Sequence, residues 1–183
     1  MKRPSRSFEI ALSAIACAAA TVALTVGSYV DVLLAAGYIL AIFSLMIPLT
    51  KGFVWGNVLA FIGACLLTFV FCGFAVVYIL PFIAFFGLHP LINFLERKYV
   101  KKLPLKIACF LAKAVWFDLA MWLMWTMVLV PFFGVESATW YPFVSQYFFL
   151  VLFLGGTVFF AAYDYMIVLC QRSANIAVAR IRR

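Results

Sequence analysis

The segment ERKYVKKLPLK, residues 96–106, holds five of the fourteen Lys and Arg residues of this 183-residue chain. The chain is 68% hydrophobic and only 11% charged, so this basic cluster stands out. Apolar runs flank it on both sides, from Phe74 to Leu95 and from Ile107 to Val130. Each run is long enough to cross the roughly 30 Å hydrocarbon core of a bilayer as a helix. The cluster therefore predicts a loop between two membrane spans.

The other basic residues predict which side of the membrane this loop occupies, because short loops rich in Lys and Arg stay in the cytoplasm. The apolar runs predict six spans, at residues 8–29, 32–49, 53–72, 74–95, 107–130 and 142–170. With a cytoplasmic N-terminus, the cytoplasmic segments are 1–7, the turn at Lys51, the 96–106 loop and the tail 171–183. They contain thirteen of the fourteen basic residues. We therefore predict an all-α integral membrane protein, a six-transmembrane-helix bundle forming one domain over 1–183, with both termini cytoplasmic.

Composition argues against several classes of function. The topology accounts for the net charge of +8, which leaves no reason to expect a nucleic-acid partner. The single histidine, His89, makes a histidine metal site or a serine-histidine pair hard to assemble. The five cysteines are odd in number, form no CxxC pair and predict neither a disulfide framework nor a zinc site: Cys17, Cys65, Cys72, Cys109 and Cys170. No metal or cofactor is predicted.

The first span begins like a signal peptide, with KRPSR before an apolar run, but this run exceeds the usual 7 to 15 residues of such peptides. It therefore indicates a retained span. Small residues recur at helical spacing on two of its faces, one with Ala11, Ala14 and Ala18, the other with Ala16, Ala20, Ala23 and Gly27. Such faces let membrane helices approach closely. Both could pack inside the bundle, or one could dock another protein.

Two ionisable residues lie at similar depths in the last two spans. Lys113 lies about 10 Å from the cytoplasmic start of span five, and Asp164 about as far from the cytoplasmic end of span six. Charged groups in a membrane are costly and usually pair. The interpretation that we favour is a structural ion pair, with a proton relay as the other.

Asp118 lies near the middle of span five, with Trp122 and Trp125 following on the same helical face. A carboxylate and two indoles can orient a polar group while stacking on a flat ring. Alternatively, a neighbouring span caps Asp118 and the tryptophans pack or face lipid. The outer ends of the spans offer companions for a ligand pocket: Tyr29, Asp31, Tyr78, Trp140, Tyr141, Gln146 and Tyr147.

Span four contains two prolines, Pro81 and Pro90. Each removes a backbone hydrogen bond and clashes with the preceding turn. Kinks are expected near both.

In these features the chain resembles the S components of energy-coupling factor (ECF) transporters. This family comprises small bacterial membrane proteins that capture vitamins. The likeness covers the six spans, the AxxxA spacing from Ala14 to Ala18 or from Ala16 to Ala20, and the passage SLMIPLTKGFVWGNVLAFIGA at residues 44–64. It implies a location in the bacterial cytoplasmic membrane and a small organic ligand, a vitamin or its precursor, bound from the outer side. It also implies docking through the first helix on a transmembrane coupling protein with two ATPase subunits.

The chain itself has no GxxxxGK[ST] motif, so ATP hydrolysis would belong to partners and we predict no enzyme. Two alternatives stay open. One is a non-transporting scaffold of a bacterial envelope or cell-elongation complex, which would bind proteins and no ligand. The other is an intramembrane enzyme, for which Lys113, Asp118, Asp164 and His89 lie at depths that do not obviously meet.

Overall fold

The computed structural model describes residues 6–181, with the side chains at 31, 74–76, 132–133, 177 and 179–181 outside the description. The described chain is almost entirely helical and contains no strand. Its α-helices are α1 (Arg6–Tyr29), α2 (Leu34–Leu49), α3 (Val54–Cys72), α4 (His89–Tyr99), α5 (Leu103–Met124), α6 (Val130–Phe133), α7 (Tyr141–Gln146), α8 (Phe148–Leu150) and α9 (Thr157–Ile181). Between them lie 3₁₀ turns at Asp31–Leu33, Gly73–Ile79 and Val135–Ser137, and π-helical segments at Phe82–Phe86, Trp125–Leu129 and Val151–Gly156.

Within residues 6–181, five helical stretches are long and apolar enough to cross a membrane: Arg6–Tyr29, Val54–Cys72, Val77–Tyr99, Leu103–Leu129 and Phe148–Ile176. They overlap predicted spans one, three, four, five and six. The remaining predicted span is α2, whose 16 residues rise by about 24 Å, less than the hydrocarbon core. The all-helical prediction is thus confirmed, with five helices of membrane length and one shorter apolar helix.

The helices extend further into the basic segments than predicted. α4 continues to Tyr99 and α5 begins at Leu103, so only residues 100–102 of the basic cluster lie outside a helix. α9 likewise continues past residue 170 to Ile181. Lys and Arg are good helix formers, and their long side chains reach water from a helix end. The lengths of the apolar runs therefore underestimate the lengths of these helices.

The exposed side chains of α3 indicate which solvent surrounds this helix. Its exposed face carries Trp55, Leu59, Leu66 and Val70, each between 61% and 76% exposed. A continuous stripe of large apolar side chains is unfavourable in water but suited to lipid. The surface of α3 therefore agrees with a membrane location.

The described residues form two compact units. Unit one comprises the chain up to Arg97 together with the part from Ile167 onward, and unit two comprises Lys98–Met166. In unit one, α1 packs against both α2 and α3. Unit two contains α5 and the segments facing it from residue 141 onward.

α1 and α2 approach each other closely at two glycines, Gly27 and Gly37. A Cβ atom at Gly37 would lie 2.6 Å from the carbonyl oxygen of Ala23 and 3.2 Å from the Cα of Gly27. Real Cβ contacts are not that short, so only glycine allows this crossing. On its other buried flank, α1 meets α3, where a Cβ at Gly63 would lie 2.9 Å from Cys17 Sγ. Small residues thus bring all three helices together.

The kink predicted near Pro81 falls in irregular backbone, whereas Pro90 is the second residue of the regular helix α4. Residues Gly73–Ile79 form a 3₁₀ segment before Pro81, and Phe82–Phe86 form a π-helical segment after it. The Tyr38 hydroxyl of α2 donates to the carbonyl oxygen of Tyr78 here. A side chain from a neighbouring helix therefore satisfies one of the carbonyls in this irregular stretch.

The α1–α2 crossing generates the first prediction. Replacing Gly37 with Ala should lower the free energy of unfolding by about 2 kcal/mol, because the new methyl overlaps backbone that cannot move aside. Gly155→Ala is the matched control, since a Cβ there meets nothing within 4 Å. Thermal unfolding of the purified protein in detergent measures both. Equal stability of the two variants would contradict the close crossing.

Candidate functional site

The two small-residue faces of α1 have different environments. Ala16 and Ala20 have no exposed area. They share their face with Gly27, where a Cβ atom would lie 3.3 Å from Leu34 Cα of α2. Ala14 and Ala18 are exposed. The predicted docking residues therefore divide into two pairs, of which Ala16 and Ala20 are occupied by packing within unit one and Ala14 and Ala18 are accessible.

Lys113 and Asp164 form an ion pair inside unit two. Lys113 Nζ donates to Asp164 Oδ1 at 2.9 Å, and the two side chains are 6% and 18% exposed. On the same two helices, the Phe160 ring packs against Phe110 and Phe117, at centroid distances of 5.2 and 5.7 Å. Facing helices at this depth place opposite charges together, as the sequence predicts.

Asp118 is buried in unit two at 8% exposure. Within the part of the chain that the structure describes, its Oδ1 atom has no hydrogen-bond partner. Gly156 lies beside this oxygen, since a Cβ atom at Gly156 would lie 3.4 Å from Oδ1 and 3.5 Å from Phe117 Cε1. The carboxylate therefore faces bare backbone of the π-helical segment at Val151–Gly156.

Trp125 is the centre of an aromatic cluster, which comprises Trp125, Trp140, Tyr141 and Phe148. Its ring centroid lies 6.2 Å from that of Trp140, 6.0 Å from that of Tyr141 and 5.1 Å from that of Phe148. The Tyr141 ring is nearly parallel to it, at 8°. The predicted ligand residues Trp125 and Trp140 are thus brought together.

Sequence reasoning missed Phe148. If Lys113 lies opposite Asp164 on antiparallel helices, residue 125 lies opposite residue 152, which is about one helical turn from Phe148. The observed stack of Trp125 on Phe148 fits this register. The pair therefore carried information about the site that the residue pattern alone did not reveal.

The other predicted ligand residues lie in varied surroundings. In unit two, Trp122 is 38% exposed and Gln146 is also exposed. In unit one, Tyr29 is exposed and its hydroxyl donates to the Phe71 carbonyl oxygen at 2.8 Å. Tyr78 is half-buried and accepts the Tyr38 hydrogen bond through its carbonyl. Tyr29 and Tyr78 thus make structural hydrogen bonds within unit one.

The chain matches no protein-family model, no curated protein and no solved structure.

The ion pair generates the second prediction. Lys113→Met should lower the free energy of unfolding by about 3 kcal/mol, because it leaves the Asp164 carboxylate without its cation. The double variant Lys113→Met with Asp164→Leu should recover most of that loss, since no uncompensated charge remains. Thermal unfolding in detergent measures both changes.

Lys106→Met is the matched control, because Lys106 lies on the same helix and is exposed. It should change the stability by about 0.5 kcal/mol or less. A double variant as unstable as Lys113→Met would contradict the assignment.

Proposed function

We propose that this chain is the substrate-capture subunit of an ECF-type importer in a bacterial cytoplasmic membrane. It binds a small organic ligand from the outer side and docks on a transmembrane coupling protein that carries two ATPase subunits. The exposure of Ala14 and Ala18 is the observation that carries the proposal. α1 already uses its other small-residue face for packing, so the remaining face is available to a second protein.

The proposal includes six spans, with α2 as the second and both termini in the cytoplasm. The basic residues support this orientation, because the external turns and the segment 131–142 contain no Lys or Arg. The short α2 needs only a slight local thinning of the bilayer or flanking turns to cross. The 3₁₀ turn at Asp31–Leu33 directly precedes it.

The ligand contacts of the proposal centre on the aromatic cluster. Trp140 and Tyr141 come from the segment that the charge pattern places outside, and Trp125 and Phe148 come from the adjoining helix ends. Flat rings favour stacking with a planar organic ligand. Asp118 precedes Trp125 by seven residues, or about 10 Å along a helix. It would contact only a ligand that extends that far inward.

The orientation can be tested by fusions. Alkaline phosphatase fused after Ser137 should be active, because this enzyme folds outside the cytoplasm, whereas a fusion after Lys102 should be inactive. Green fluorescent protein should give the opposite pattern. Activity of the phosphatase after Lys102 would contradict the proposed topology.

The docking face can be tested by affinity purification from the native membrane in mild detergent. The tagged chain should recover a coupling membrane protein and paired ATPases. Ala14→Trp and Ala18→Trp should each reduce that recovery at least about tenfold, because a bulky ring prevents close helix contact.

Ala36→Trp is the matched control, since it makes the same exchange at an exposed alanine on α2. It should leave the recovery unchanged. Full recovery with both α1 variants, or recovery without any ATPase, would contradict the importer.

A scaffold of an envelope complex is the second candidate, and one observation favours it. Trp125 is already surrounded by three rings of its own unit, and Trp122 is partly exposed on the apolar exterior. A solidly packed aromatic cluster would leave no place for a ligand. Recovery of cell-wall or division proteins in the same purification would support the scaffold.

A further inference from the structure

The intramembrane charges of unit two do not balance. Lys113 and Asp164 neutralise each other through their 2.9 Å contact. The charged residues at the ends of the unit, such as Lys102, Lys106 and Glu136, are not buried. Asp118 therefore remains as a buried acidic group in α5 without a positive neighbour among the described contacts. An unpaired charge in a membrane is costly and often marks a functional site.

Protonation would not satisfy this carboxylate by itself. A proton on Oδ2 would remove the charge and leave Oδ1 still without a donor. Oδ1 is the buried atom, and such an oxygen loses hydration without a compensating interaction. A positively charged group beside Oδ1 would supply both the interaction and the neutralisation.

The backbone opposite Asp118 is suited to such a group. Gly156 ends a π-helical segment that begins at Val151, and Gly155 precedes it. Gly156 has no side chain to shield the backbone beside Asp118, whereas Gly155 does not face the carboxylate, and π-helical turns are frequent at functional sites. In membrane transporters, backbone carbonyls at interrupted helices coordinate small cations, and at Gly156 no side chain separates the backbone from Asp118 Oδ1.

We propose that Asp118 and the backbone around Gly156 form a binding site for a small monovalent cation, an alkali metal ion or an ammonium group. One carboxylate balances one positive charge. Among the described residues, no group of three His, Cys, Asp or Glu side chains is positioned to hold a metal ion, which disfavours a divalent ion. The site lies within unit two and does not depend on the importer function.

The test compares cations at constant ionic strength. The full-length protein is unfolded thermally in choline chloride, whose quaternary nitrogen has no N–H to donate, with this salt replaced stepwise by NaCl or by methylammonium chloride. Binding to the folded state should raise the Tm by several degrees, with saturation. Stabilisation by Na⁺ alone assigns a metal ion, and stabilisation by methylammonium alone assigns an ammonium group. No effect of either cation overturns the proposal.

Three variants locate the effect. Asp118→Asn keeps the size of the side chain and should abolish the rise in Tm. Gly156→Ala keeps the charge but adds a methyl 3.4 Å from Oδ1, so the cation concentration at half effect should increase about tenfold.

Gly155→Ala makes the same exchange where a Cβ meets nothing within 4 Å, and it should behave like the unaltered protein. This glycine pair keeps the test informative if Asp118→Asn fails to fold. A rise in Tm that is the same in Gly156→Ala and Gly155→Ala, or that persists in Asp118→Asn, overturns the site.

Discussion

Lipid gives helices no hydrophobic reason to associate, and the packing of unit one has the form that this constraint requires. Contact energy must come from close approach of the backbones. The pair Gly27 and Gly37 provides that approach between α1 and α2, and Gly63 provides it between α1 and α3. Large apolar side chains are then left for the outer surface, as α3 shows. An arrangement with small residues inside and large apolar residues outside is the one expected of helices that pack in lipid.

The same constraint makes interhelical polar contacts few and therefore informative. Most buried hydroxyls bond to their own helix, as Ser28 does to Leu24 and Thr68 to Ala64. Such bonds satisfy a polar group without joining two helices. Asn57 instead donates from α3 to the Leu45 carbonyl oxygen of α2 at 2.6 Å. This bond and the Lys113–Asp164 pair therefore carry much of the information on helix register.

The sequence pattern predicts which segments are helical and which charged residues lie at equal depth. It predicts less well where the helices end and which face of a helix is packed. The helical class, five membrane-length helices and the approach of Lys113 to Asp164 follow from apolar length and from the cost of charge in lipid. The helix ends at Tyr99 and Ile181 do not, because basic residues extend helices beyond the apolar run. Nor does the choice between the faces at Ala14 and Ala16, since both have the same spacing. The positions of α2 and α3 decide which face is covered.

The two acidic residues Asp118 and Asp164 show how one constraint yields different roles. Each lies in a helix of unit two, but Asp164 meets a lysine whereas Asp118 meets a glycine. A carboxylate that pairs with a lysine of the same chain is neutralised and holds two helices in register. A carboxylate that faces backbone without a cationic side chain is neutralised by a bound cation, as we propose for Asp118. The residue opposite each acid, more than the acid itself, therefore distinguishes a structural charge from one that binds.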